Sequence, residues 1–130
     1  MTMTRQKPDR VAFEEATRAK PEQLVSELRG LLGARLVAVI AGVSETRAVH
    51  DWAEGVREIR RSDVLPRLRV AYQAARTVAD ADSPVVAQAW MQGLNPDLDD
   101  RSPSMLVREG DLDEVGPLVL AAARRFAANG

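Results

Sequence analysis

The chain has 130 residues, 45% of them hydrophobic, with 18 Lys plus Arg against 19 Asp plus Glu, and no cysteine. That length suits one domain, or a compact domain with a small appended module, and it buries a core without covalent staples. The absent thiols exclude disulfides and thiolate metal sites and suit a reducing cytoplasm, while no apolar run reaches the roughly 20 residues of a membrane-spanning helix.

Residues 1 to about 20 are polar, contain Pro8 and lack the apolar core of a signal peptide. They are expected to be a flexible N-terminal arm. Pro21 then opens a helix at its first position, and Leu24, Val25, Leu28, Leu31 and Leu32 keep helical spacing up to Gly33. A short apolar helix follows over 36–41 and stops at Gly42. Ser44 is placed to cap a second short helix over 45 to about 54, ended by Gly55. Ser62 and Asp63 start a long helix to about Ala79, in which Leu65, Leu68, Tyr72, Ala75 and Ala79 share one face. Ser83-Pro84 and Ser102-Pro103 are two cap-plus-proline helix starts, and their helices end at Gly93 and Gly110. The last helix spans about 112–127 with Val115, Leu118, Val119, Ala122 and Phe126 on one side, and Gly116-Pro117 is expected to interrupt or kink it. No strand-period alternation and no internal repeat occur, so the fold class is all-α. The expected core includes Leu28, Val37, Val49, Trp52, Leu68, Tyr72, Trp90 and Leu106.

The two short helices over 36–54 have the size and pattern of a helix-turn-helix. Val37, Ala38, Ile40 and Ala41 supply small apolar contacts, Gly42 the sharp exit and Val43 the corner plug. By 100° steps, Ala48, Val49 and Trp52 face the first helix, and Arg47, His50, Asp51 and Glu54 face outward with Thr46 at the edge. Thr46, Arg47 and His50 are therefore the candidates for DNA contact, with Arg57, Arg60 and Arg61 as phosphate candidates. Asp51 and Glu54 on the same face would repel phosphate. A plain helical hairpin in a core is the competing reading.

The stretch from Trp90 to Gly110 is dense in turn chemistry yet holds no catalyst-like group. Asn95-Pro96 breaks the chain sharply. Asp97, Asp99 and Asp100 do not form an EF-hand loop, because Arg101 and Arg108 fall where ligands belong, so no metal site is expected. The charge is also asymmetric: arginines load the N-terminus and middle, and Asp97, Asp99, Asp100, Glu109, Asp111, Asp113 and Glu114 load the C-terminal third. One histidine, no cysteine, no phosphate-binding glycine loop and no Ser-His pair argue against an enzyme, and nothing requires a cofactor.

This constellation resembles the Xre/MbcA/ParS antitoxins. Their C-terminal toxin-binding domain carries a tryptophan, an Asn-Pro-x-Leu corner, a proline-started helix and a glycine, matched here by Trp90, Asn95-Pro96 with Leu98, Pro103 with Leu106 and Val107, and Gly110. The segment Ala41 to Gly55, AGVSETRAVHDWAEG, is similar to the Xre-type helix-turn-helix of that family. The resemblance covers roughly residues 20 to 126. It implies an Xre-like helix-turn-helix domain with a long connecting helix over 21–80 and a small helical toxin-binding domain over 81–130. It further implies a type II antitoxin that blocks a RES-domain, NAD-consuming toxin, dimerises, and represses its own operon on double-stranded DNA. The toxin-binding residues would then be Trp90, Asn95, Pro96, Asp97, Leu98, Asp99, Asp100, Pro103, Met105, Leu106 and Gly110. A RES toxin binds the phosphates of NAD, so a basic cleft would meet the acidic segment, with Met105 and Leu106 as apolar anchors. Two alternatives stay open: a stand-alone repressor without a toxin, and a toxin-binding module whose helix-turn-helix is a relic.

Overall fold

A computed structural model describes residues 8–129 of the chain. The described residues are all-helical: α1 (Pro8–Arg18), α2 (Pro21–Leu32), α3 (Ala34–Ala41), α4 (Thr46–Ala53), α5 (Val64–Ala81), α6 (Pro84–Gln92), a 3-10 turn at Pro96–Leu98, α7 (Pro103–Glu109) and α8 (Leu112–Asn129). No helix among them is long and apolar enough to cross a membrane.

The organising element is α5. The predicted single apolar face is too narrow for it: Val64, Leu68, Ala71, Tyr72, Ala74, Ala75, Thr77 and Val78 are all buried, whereas Leu65 and Ala79 are only half-buried. Its small residues let other helices approach on several sides, and α1, α2, α3, α6, α7 and α8 all pack on it. One apolar core therefore runs from Leu24, Val25 and Leu28 of α2 through α5 to Val119, Ala122 and Ala123 of α8.

The sequence expected an arm over 1–20. Residues 1–7 lie outside the described residues, and from Pro8 the chain is helix α1, laid along α5. Among its described side chains only Ala12 and Ala16 are buried, too little apolar patterning to announce a helix. A polar anchor supplies the rest. Glu15 pairs with Arg76 and accepts from the Tyr72 hydroxyl at 2.8 Å; Arg76 also donates to that hydroxyl at 2.7 Å and pairs with Asp80 at 3.4 Å. A partly buried cluster of this kind stands on mutual satisfaction, since a lone buried polar group costs about 1–3 kcal/mol.

Burial, together with the carboxylates of Glu27 and Glu15, pushes the Tyr72 phenol well above its ordinary value of 10.0. In the unfolded chain the phenol ionises near 10. The folded group is raised, so its contribution to stability is complete below pH 10 and is lost as the pH rises beyond it. Tyr72 is the sole tyrosine, so ultraviolet absorbance follows it without ambiguity. Tyrosinate is expected to appear together with alkaline unfolding, and Tyr72→Phe should flatten the stability curve above pH 10.

The C-terminal helices begin as the sequence predicts. Ser83 Oγ accepts from Val86 N at 3.2 Å and Ser102 Oγ from Met105 N at 3.2 Å, caps worth about 1 kcal/mol each. The expected interruption of the last helix does not occur. Pro117 lies inside α8, which runs unbroken from Leu112 to Asn129. It falls in the second turn, where the missing amide costs one hydrogen bond, to Asp113, and the flanking packing carries the helix through. Gly116 is buried there, where a Cβ would stand 3.7 Å from Val70 Cγ2. Leu118, expected on the buried side, is 56% exposed. Trp90 is half-buried rather than core, and α6 instead encloses Ala87 and Met91 fully.

Candidate functional site

Helix α3 ends at Gly42, whose φ of 79° and ψ of 28° lie in the left-handed region that glycine adopts without strain. Its N–H donates to Ala38 O at 3.0 Å, and the Val43 N–H donates to the same carbonyl at 3.0 Å, turning the chain over the helix end. The half-buried Val43 packs against the core. Helix α4 follows at Thr46. Its first residue is preceded by Glu45 in extended conformation without a side-chain cap, so the expected capping by Ser44 does not occur.

Ala48, Val49 and Trp52 are buried against α2 and α3. Thr46, Arg47, His50 and Glu54 are exposed, which makes the outward face the one expected from the 100° spacing. Asp51 is half-buried and lies 4.0 Å from Arg47, an i,i+4 pair that partly offsets its charge on that face. His50 Nδ1 is 2.9 Å from Arg29 NH1 of α2, a partner with no signal in the sequence because it sits 21 residues away on another helix.

The three arginines beyond α4 differ in what they do. Arg57 lines a groove of about 490 Å³ with Arg47, Ser44 and the Gly42 turn. Arg60 is exposed beside Val64 and Trp52 at a smaller cavity. Arg61 is already engaged, holding Asp63 through two bonds of 3.2 and 2.9 Å and reaching Gly42 O at 3.4 Å. Asp63 raises the Arg61 guanidinium above its ordinary range, and Arg61 in turn holds the Asp63 carboxyl below its own. An arginine so held is a poorer phosphate contact than Arg57 or Arg60.

Arg61 is part of a larger arrangement around the C-terminal end of α3. Arg67 NH1 donates to Ala41 O at 3.2 Å, and Arg108 NH1 donates to Val39 O at 2.9 Å. The guanidiniums of Arg67 and Arg61 occupy the Ala41 and Gly42 carbonyls at the end of α3. Arg108 adds to the Gly42 N–H already on Val39 O at 3.1 Å, and all three complement the negative end of the helix dipole. Arg108 belongs to α7, so this bond ties the C-terminal helices to the turn before α4. Arg108→Met should cost about 1.5–3 kcal/mol, the range for a hydrogen bond to a charged group, as read by urea unfolding.

The second surface runs from Trp90 to Gly110, and its loop is tightly built. Asn95 Oδ1 accepts from Asp97 N at 2.9 Å, and Asn95 O accepts from Leu98 N and Asp100 N, each at 2.9 Å. Asp99 and Asp100 both have positive φ, 55° and 61°, a conformation that short polar side chains tolerate better than others. The carboxylates of Asp97, Asp99 and Asp100 are exposed, with Asp97 held by Arg125 Nε at 3.1 Å. Pro96 is exposed and Asn95 half-buried.

Other residues of this set face inward. Leu98, Pro103 and Leu106 are buried, so Leu106 fills the core and is not available as an anchor. Met105 is 36% exposed beside a groove of about 470 Å³ lined by Leu32, Leu36, Val39, Gln88 and Gln92. Gly110 is half-buried and shapes the surface from below. Sequence reasoning missed Val85 and Leu94, each 75% exposed on either side of Trp90; they are apolar outward positions on α6 and just beyond it, a helix without charged residues.

Among the described residues, no group of three or more His, Cys, Asp or Glu side chains is placed to hold a metal ion. Compared with known protein families, characterised proteins and solved structures, the chain matches none.

Proposed function

We propose that this chain is the antitoxin of a type II toxin–antitoxin pair. On this reading α3 and α4 are a helix-turn-helix that binds operator DNA as a homodimer in the cytoplasm, and the surface from Trp90 to Gly110 binds and blocks a RES-domain, NAD-consuming toxin. The observation that carries it is the pairing of two separate surfaces on one core. One is the outward face of α4 with exposed Thr46, Arg47 and His50. The other is a rigid, acidic, exposed loop at Asp97, Asp99 and Asp100 built on the Asn95-Pro96 corner. Neither surface has the nucleophile–base geometry that covalent catalysis needs. The family resemblance of the corner, the proline-started helix and Gly110 supplies the identity of the partner.

The acidic loop steers a basic cleft toward it by long-range attraction, which acts on the association rate more than on the lifetime of the complex. Asn at positions 97, 99 and 100 removes the charge while keeping a side chain tolerant of positive φ. The triple variant should associate with the toxin about tenfold more slowly at low salt, with a flatter salt dependence. An unchanged rate and salt slope would remove the steering role. For the other surface, Arg47→Ala should weaken binding to a duplex from the promoter upstream of the reading frame and lower the salt slope by about one. No change would mean that α4 does not meet DNA.

A further inference from the structure

We infer that Arg29 is a positioning residue that fixes the His50 imidazole as its Nε2–H tautomer, so that α4 presents a hydrogen-bond donor to an acceptor atom of duplex DNA. This rests on the reading of α4 as a DNA-contacting helix and adds α2 to the machinery of that surface.

Leu28 of α2 and Val49 of α4 are both fully buried, and α2 packs on α4. Their chain neighbours, Arg29 and His50, therefore meet at the rim of that interface, where Arg29 NH1 lies 2.9 Å from His50 Nδ1. A guanidinium carries only donors and does not deprotonate in proteins. The bond exists only if Nδ1 supplies the lone pair, and in a neutral imidazole the ring hydrogen then sits on Nε2. With Nδ1 occupied by α2, Nε2–H is the ring's remaining polar position, on a side chain that is exposed beside Arg47. A donor there matches a major-groove acceptor (guanine N7 or O6, adenine N7, thymine O4) or a phosphate oxygen. It does not match the amino groups of adenine or cytosine. Arg29 acts through His50 and not as a phosphate contact of its own.

His50 is the sole histidine, so one set of imidazole signals reports it in long-range proton–nitrogen correlation spectra. The wild type should show a single Nε2–H tautomer with Nδ1 as acceptor. Arg29→Met should move both nitrogen shifts toward an exchanging mixture, and Arg29→Lys, which keeps a donor, should restore them. In binding to the promoter duplex, Arg29→Met and His50→Ala should each weaken affinity about tenfold, the scale of one good polar contact. The double variant should bind no more weakly than His50→Ala alone, because the two residues act as one unit. A base contact would appear as relaxed sequence preference in His50→Ala, and a phosphate contact as a loss uniform across sequences with the salt slope unchanged, because a neutral imidazole releases no counterion. Losses that add to about a hundredfold would overturn the inference, by making Arg29 an independent contact. Imidazole signals unmoved by Arg29→Met would overturn it too, leaving the DNA reading intact. If the wild type binds no duplex while the signals respond as described, the DNA reading itself fails, and the role of Nε2–H with it.

Discussion

Trp52→Ala should destabilise the protein by about 3–5 kcal/mol, the range for deleting a buried large aromatic side chain. Trp52 is 5% exposed on the inner face of α4, which packs on α2 and α3, and it lines one cleft with Val43 and Val64 and another with Ile59 and Leu65. It is the largest side chain that α4 buries, and its truncation opens a cavity where α4 packs on α2 and α3. Among the described residues its indole N–H is buried and meets no acceptor, so within them the side chain contributes through packing and not through a hydrogen bond. Trp52→Phe should therefore cost much less, about 1 kcal/mol, because the loss of ring volume is partly offset by removal of an unsatisfied donor. Urea unfolding of the pair checks this. Equal losses in both variants would mean that the indole nitrogen has a partner after all.

Gly110→Ala should also be severe, at about 2–3 kcal/mol, and Gly110→Val worse, as expected for overpacking a filled site. The backbone there has φ of −82° and ψ of 167°, open to any residue, so conformational freedom is not the reason for glycine. Space is the reason. A Cβ at this position would stand 2.6 Å from Val115 Cγ1 and 2.8 Å from Leu106 O. Val115 and Leu106 belong to α8 and α7, so the added methyl drives the two helices apart. The damage reaches the Asp97 loop, because Asp97 is held by Arg125 of α8. Double replacement with Val115→Ala gives the diagnostic comparison. If the clash is the cause, the truncated neighbour should recover part of the loss.

What the sequence made legible was mainly local. The caps at Ser83 and Ser102, the glycine exit at Gly42 and the buried triad Ala48, Val49 and Trp52 each follow from a few adjacent residues, and the structure has all of them. Long-range partners were not legible. Helix α1 was read as an arm because, among its described side chains, Ala12 and Ala16 alone are buried apolar residues and its anchor, Glu15 to Arg76 and Tyr72, spans about 60 residues of sequence. Arg61 looked free for phosphate in the sequence, yet Asp63 and the Gly42 carbonyl engage it. Leu106 and Met105 looked equivalent as anchors, although one turns into the core and the other toward solvent. Gly116-Pro117 was expected to interrupt or kink α8, and the interruption is absent because a rule about one missing amide says nothing of the packing of Val119, Ala122 and Ala123 that holds the helix together.

The arginines around the end of α3 join the two proposed surfaces physically. Arg61 lies just before α5 and Arg67 in its first turn, while Arg108 comes from α7, between the acidic loop and α8. The face of α4 and the face of α7 thus share a support of three guanidiniums on the carbonyls of Val39, Ala41 and Gly42. A change in one surface is transmitted to the other only as far as these bonds and the packing of α3 on α7 differ between states.

The most direct test of the account is capture of the tagged full-length chain from its native lysate, followed by separation of any co-purifying protein and assay of that protein for NAD consumption. The account predicts a stoichiometric small partner that consumes NAD only after separation and is silenced when this chain is added back. A chain recovered alone or only with DNA, or a partner whose NAD consumption is unaffected by adding the chain, would contradict it.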